Sequence, residues 1–294
     1  MVASGILYLV STPIGNLEDL TLRALRILRE VPRIACEDTR RTRKLLAHYS
    51  ISTVVVAFHR FNEDRVVAQL IRGLLAGKDL ALVTDGGTPS VSDPGFSLVR
   101  AATVQGVPVV PLPGASALLA ALVASGLPST AFTFLGFLPH RSGERRRFLE
   151  SFRDRPETLV FFDSPRRVAG TLAEMAAILG DRPAAVCREM TKVHEEFLRG
   201  KLAQLAERLR PGPVRGEVTL VVAGASAPGS RGADDATLRE EVEREVLRTG
   251  KTRRDAVRAV ARARGLTKRL VYRALREGAS MDSPASSGGR DESE

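Results

Sequence analysis

The sequence predicts an α/β protein, with two α/β domains in series and a small helical module after them. Three observations carry that prediction. Over the first 125 residues, short apolar runs alternate five times with longer stretches of helical periodicity. A second, similar series follows a Gly126-Leu127-Pro128 turn and ends near Gly224. Beyond it the composition turns small and polar, then strongly basic.

In the first series, residues 6–10 form an apolar run of strand length that stops before Pro13. Residues 17–28 carry Leu17, Leu20, Leu25 and Leu28 at helical spacing, which predicts a helix. The same logic gives strands at 33–36, 53–57, 80–84 and 107–111, and helices at 40–48, 64–76, 96–105 and 116–124. Repeated alternation of this kind argues for a largely parallel sheet, because parallel neighbours need long crossover connections. The second series places strands at 132–136, 158–162, 184–187 and 218–222, and helices at 144–152, 167–179 and 202–209. The expected domains are thus 1–125 and 126–225.

Residues 225–235 read as a linker. Helical patterns follow at 238–247, 253–264 and 267–275, separated by Gly250 and Gly265, and 236–277 forms the third module. Val257, Val260, Leu266, Leu270, Val271 and Leu275 supply a small core. Residues 278–294 are rich in Ser, Gly, Asp and Glu and predict a disordered tail.

A chain of 294 residues with 44% apolar and 27% charged residues has enough apolar content for sizeable cores, which excludes general disorder. Cys36 and Cys187 sit in no CxxC pair, so neither a zinc ribbon nor a disulfide framework is indicated, and two lone thiols suit a reducing cytoplasm. The start of the chain has no basic segment and too short an apolar run for a signal peptide. The most apolar stretch, 115–123, falls far short of the ~20 residues that span a bilayer. A soluble, cytoplasmic protein is expected.

The formal net charge is +10. Residues 248–276 hold 11 basic residues against the single acid Asp255, so the excess positive charge sits on the last module and the rest of the chain is neutral. That distribution predicts binding to a polyanion, with Arg253, Arg254, Arg258, Lys268 and Arg269 facing phosphates.

In an open α/β sheet, ligands bind beyond the carboxyl ends of the strands. The segments there are 11–19, 37–40, 85–95 and 113–117, which between them hold small residues, prolines and acids. Gly86 and Gly87 let backbone approach a ligand closely. There is no GxGxxG, no GxxxxGK[ST] and no GxSxG, which weakens nicotinamide, P-loop and serine-hydrolase readings. The four histidines have no metal-ligand spacing, so no metal is expected. Glu37 and Asp38 precede Arg40, Arg41, Arg43 and Lys44, a combination suited to holding a phosphate and deprotonating a nearby hydroxyl. His59 follows the third strand and could join them; Arg166 and Arg167 follow a strand of the second domain.

The segments LYLVSTPIGNLEDL (7–20), EDTR (37–40), LVTDGGTPSVSDPG (82–95), VVPLPGAS (109–116), FFDSPRR (161–167) and REMTKVHEEF (188–197) resemble, in order, the tetrapyrrole-methylase-like, or class III, methyltransferase family. The likeness spans about residues 5–224 and is to the ribosomal-RNA branch. Tetrapyrrole-acting members usually carry GxGxGD after the first strand, whereas this chain has Ser11-Thr12-Pro13-Ile14-Gly15-Asn16.

The resemblance implies two α/β domains with S-adenosylmethionine in the cleft between them. It implies methyl transfer to the ribose 2′-hydroxyl of a cytidine in the decoding region of 16S ribosomal RNA within the 30S subunit, and a homodimer. Carried over by position, the cofactor contacts fall on Pro13, Asp85, Gly86, Gly87, Thr88, Ser90, Asp93, Ser116 and Ala117, with Phe162 and Met190 from the second domain. Glu37, Asp38, Arg40 and His59 are the candidates for the chemistry, the base being Glu37 or Asp38, with His59 an alternative. RNA contacts are expected from Arg41, Arg43 and Lys44, from Arg166 and Arg167, and from the basic module. Two alternatives remain: a methylase of a small tetrapyrrole, and a non-catalytic RNA-binding assembly factor on a methylase scaffold.

Overall fold

The computed structural model describes residues 4–210, 212, 216–225, 235–264 and 266–277. The chain divides into two compact units, Met1–Gly224 and Ala225–Glu294.

The first unit begins with a five-stranded sheet of β1 (Leu7–Val10), β2 (Arg33–Cys36), β3 (Val54–Ala57), β4 (Leu80–Val83) and β5 (Val109–Leu112). The order is β3-β2-β4-β1-β5 and every pair is parallel. Both faces are covered. Helices α1 (Leu22–Glu30) and α2 (Thr39–His48) pack Ala24, Ile27, Leu28 and Leu46 against Val10, Ile34, Cys36, Ala81 and Val83. Helices α3 (Glu63–Leu75) and α4 (Phe96–Val104) pack Leu70, Ile71, Leu74 and Leu98 against Leu7, Ala35, Leu80 and Leu82. Neighbouring strand residues go to opposite cores, as the period of two requires, so these strands are apolar throughout.

The expected helix over 17–28 divides in two. Asn16 caps a 3-10 turn at Leu17–Asp19, and the Thr21 hydroxyl then accepts from Ala24 N to start α1. Two competing caps within six residues outweigh the leucine spacing.

Helix α5 (Ala117–Ala124) leaves β5 and lies against the second sheet. Its Ala121 and Leu122 are buried among Val160, Ala185, Cys187 and Val221. That sheet comprises β6 (Phe132–Phe137), β7 (Thr158–Asp163), β8 (Pro183–Arg188), β9 (Glu196–Lys201) and β10 (Val218–Val222), in the order β6-β7-β10-β8-β9. Only β6 and β7 run parallel; β7–β10, β10–β8 and β8–β9 are antiparallel. Helices α6 (Ser142–Glu150), α7 (Val168–Leu179) and α8 (Leu202–Leu209) cover the other face through Leu149, Leu172, Met175 and Leu205. Strand β9 has no counterpart in the sequence prediction. It is an edge strand whose Glu196, Arg199 and Lys201 break the apolar pattern, as edge strands commonly do.

The second unit contains α9 (Asp235–Thr249), α10 (Arg253–Arg264) and α11 (Lys268–Glu277). Leu238, Val242, Ala256, Val257, Val260, Ala261 and Val271 form its core, with Leu266 and Leu275 at the margin. The predicted tail, nearly all of the predicted linker, Gly265 and the Leu270 side chain lie outside the described residues. Among those described, no helix is long and apolar enough to cross a membrane.

Candidate active site

Strands β4, β1 and β5 are adjacent, so the loops after them meet at one sheet edge. Thr12 and Gly87 join the first two loops through a backbone pair, and Thr12 Oγ1 donates to Thr84 O at 3.0 Å. Ser11 Oγ lies 3.0 Å from Thr88 Oγ1 and donates to Leu112 O at 3.2 Å, which ties in the third loop. The 85–95 loop is backbone-strained: Gly87, Ser90, Ser92 and Gly95 all have positive φ, at 93°, 69°, 66° and 140°. Serine rarely adopts that region, and such outliers concentrate at functional sites.

From the second sheet, Glu189 and Thr191 also have positive φ, at 50° and 66°. They flank Met190 at the end of β8 and face the first loop. A Cβ on Gly15 would lie 2.7 Å from Thr191 Oγ1 and 3.0 Å from Met190 O. Only glycine permits this approach.

Between these loops is a cavity of ≈ 350 Å³, within the ~300–1,000 Å³ of small-molecule sites. Asp85, Gly86, Gly87, Thr88 and Asp93 line it from the β4 loop, and Ser116 and Ala117 from the start of α5. Phe162 and Met190 line it from the second sheet. Pro13 lies behind this lining, its carbonyl 3.1 Å from where a Gly86 Cβ would be, while Ser90 supports the turn at Gly95. Arg41 also reaches the cavity, paired with Asp85 at 3.2 Å.

Several lining residues were not singled out from the sequence. Asp163, Ser164 and Pro165 follow β7, within the FFDSPRR segment. Glu217 precedes β10 and Val218 and Thr219 begin it; because β10 is antiparallel to both neighbours, Val218 pairs with Asp163 and with Arg188, beside the ends of β7 and β8. Phe137 reaches the cavity through a bulge in β6.

The site is rich in carboxylates. Burial and the nearby Glu37 charge push Asp93 up to about 6. Burial and the Asp85 charge likewise raise Glu37. Arg60 opposes both effects and donates to Ser92 O at 2.9 Å.

None of Glu37, Asp38, Arg40 and His59 lines the cavity. Asp38 caps α2: its Oδ1 accepts from Arg40 N at 2.8 Å, and Arg40 Nη2 pairs with Oδ2 at 2.7 Å. Those bonds hold its carboxyl well below the usual range, a poor setting for a base. Arg40 is 85% exposed. The His59 amide donates to Asn62 Oδ1 at 2.8 Å within a turn.

Of the expected RNA contacts, Arg43, Lys44 and Arg166 are exposed. Arg167 is committed internally: its guanidinium pairs with Asp163 and donates to Leu138 O at 2.8 Å, bracing the 138–140 segment. In the second unit Arg253, Arg254, Lys268 and Arg269 are exposed, and Arg258 stands 3.7 Å from Asp255.

The family model described as Tetrapyrrole (Corrin/Porphyrin) Methylases matches residues 6–206. A protein of Micromonospora olivasterospora named ribosomal RNA small subunit methyltransferase I is 46% identical over 274 residues, covering 93% of this chain and 87% of that one. A protein of the same name from Halalkalibacterium halodurans is 44% identical over 271 residues, covering 91% and 93%. Among solved structures, the uroporphyrin-III C-methyltransferase of Thermus thermophilus complexed with S-adenosylhomocysteine is 26% identical, with a TM-score of 0.52, covering 74% of this chain and 97% of that one.

The cavity fits S-adenosylmethionine. Glycine-rich backbone offers donors and acceptors without side-chain bulk, Asp85 suits a hydroxyl or an ammonium, and Phe162 and Met190 suit an aromatic base or thioether. On that cavity and on the match over residues 6–206, the chain belongs to the tetrapyrrole (corrin/porphyrin) methylase family of S-adenosylmethionine-dependent methyltransferases.

Proposed function

We propose that this protein methylates the ribose 2′-hydroxyl of a cytidine in the decoding region of 16S ribosomal RNA, as a cytoplasmic homodimer acting on the small ribosomal subunit. The observation that carries this reading is the 44–46% identity, over more than nine tenths of the chain, to relatives named for that RNA. The basic second unit supports a polyanionic substrate, and a small tetrapyrrole would leave its charge without a use.

When bound, S-adenosylmethionine supplies an already activated methyl group. The residues that would hold it are Gly86, Gly87, Thr88, Ser116 and Ala117 through backbone, with Asp85, Phe162 and Met190. The chain must align the ribose oxygen and remove its proton. Alignment can supply much of the rate, and a general base typically adds ~10²–10⁴-fold. Asp93 is the proton acceptor in this scheme. It lines the cavity, and burial and the neighbouring Glu37 charge raise it to about 6. Glu37 acts through Asp93, Asp38 and Arg40 hold the start of α2, and Arg41 takes a phosphate at the mouth.

The test is methyl transfer from radiolabelled S-adenosylmethionine to 30S subunits lacking the modification, with nuclease mapping of the label. Label on a cytidine 2′-oxygen of the decoding region is the expected result. No label on 30S subunits or naked ribosomal RNA, from protein that binds the cofactor, would overturn the reading.

A further inference from the structure

Strand β6 carries one extra residue against β7. Phe134 pairs with Val160 and Phe137 with Phe162, so three steps on β6 match two on β7. Gly136, at φ 63°, takes up the difference. Such a bulge re-aims the side chains beyond it. In an unbroken strand Phe134 and Phe137 would face opposite sides. Here both pack on Phe162, at ring-centre distances of 4.9 and 5.4 Å. Phe137 therefore reaches the cavity, yet its side chain stays 62% exposed.

Ser92 lies against this bulge and is held by Arg60. A Cβ on Gly136 would lie 3.2 Å from Ser92 Oγ, while Ser92 O accepts from Arg60 at 2.9 Å. Phe137 is thus an exposed ring at the rim of the cavity, next to a cavity-lining serine, in a chain with only 5% aromatic residues.

We propose that Phe137 is a nucleobase-stacking subsite: an unstacked base of single-stranded RNA lies against Phe137 while its ribose enters the cavity. The inference rests on the proposed RNA substrate and adds the contact that positions it. A planar, polar-edged ring suits an aromatic platform open to solvent on one side, and specific RNA recognition characteristically splays bases onto such rings. The cationic Arg41 at the cavity and Arg60 on Ser92 favour the adjoining phosphates over an apolar ligand.

The chain has no tryptophan, so Phe137→Trp installs a unique fluorescent reporter. With S-adenosylhomocysteine held at saturation, its emission should be quenched by single-stranded decacytidylate. In methyl transfer to 30S subunits, Phe137→Ala should raise KM for the subunit about tenfold, with kcat and cofactor affinity within about twofold of the parent. Phe137→Tyr should restore KM. Emission of the Phe137→Trp variant that the RNA leaves unchanged would overturn the proposal. So would a Phe137→Ala defect confined to cofactor affinity. Quenching by RNA in a protein that transfers no methyl group to it would leave the stacking subsite standing and remove the proposed reaction instead.

Discussion

Thr12 and Gly87 exchange both of their backbone hydrogen bonds, at 2.9 and 2.8 Å, across the ends of β1 and β4. The pair is an isolated antiparallel bridge between the loops that leave two parallel strands, and it ties the cavity-lining Gly87 to the loop after β1. Gly87 holds φ at 93°, where a side chain is strained. Gly87→Ala should therefore cost about 1–2 kcal/mol and weaken cofactor binding about tenfold. Thermal melting and calorimetric titration with S-adenosylhomocysteine would read both effects.

Asp93 gives the reaction a pH signature. With its proton affinity pushed up to about 6, single-turnover methyl transfer should fall as the pH drops through 6, along a one-proton limb. Asp93→Asn should lose about 100-fold in rate and lose the limb. A rate that still titrates near 6 in that variant would assign the proton elsewhere.

The same group should show in stability, with the opposite preference. Its folded-state value lies above the ordinary carboxylate value of about 4, so the native state binds more protons between about pH 4 and 6. The stability Asp93 contributes is fully present below about pH 4 and is lost as the pH rises through about 6. Asp93→Asn should melt above the parent at pH 7.5 and lose that advantage at pH 4.

Asp38 tests the division between chemistry and scaffold. Its carboxylate is occupied by the α2 amide of Arg40 and by the Arg40 side chain. Asp38→Asn should keep single-turnover rates within about threefold, whereas loss of a general base costs ~10²-fold or more. Rapid-quench assays separate the two outcomes.

Neutralising Arg253, Arg254, Arg258, Lys268 and Arg269 should weaken binding to ribosomal RNA and flatten its salt dependence. Every phosphate that is no longer neutralised lowers the slope of log K against log salt by about 0.9 for a duplex or about 0.7 for a single strand. Cofactor affinity should not change. An unaltered slope would show that the second unit does not hold RNA.

The sequence made the parallel sheet legible because both its faces are buried, leaving Leu80–Val83 and its neighbours as plain apolar runs. It hid β9, where an edge position tolerates Glu196 and Arg199. At the site, the glycine, serine and proline loops announced themselves by composition. Asp38 drew attention as an acid beside cations, but those features describe a helix cap as well as a catalytic pair, and the fold makes it a cap. Glu217–Thr219 escaped notice because a search after strand ends presumes parallel strands, and β10 runs the other way. Phe137 was legible only in retrospect: Gly136 inside an aromatic strand marks the bulge.

Helix α5 is built from the chain of the first sheet and buried on the second. Its apolar residues Ala121 and Leu122 find their cover only when β7, β8 and β10 are in place. Neither sheet can lose its order without uncovering part of the other, so residues 4–224 should unfold as a single cooperative block in calorimetry. A proteolytic cut between Ala124 and Phe132 would leave the first half with a helix that has no surface to rest on. The helix is thus a shared structural member, and two α/β halves with separate sheets live or fail as one.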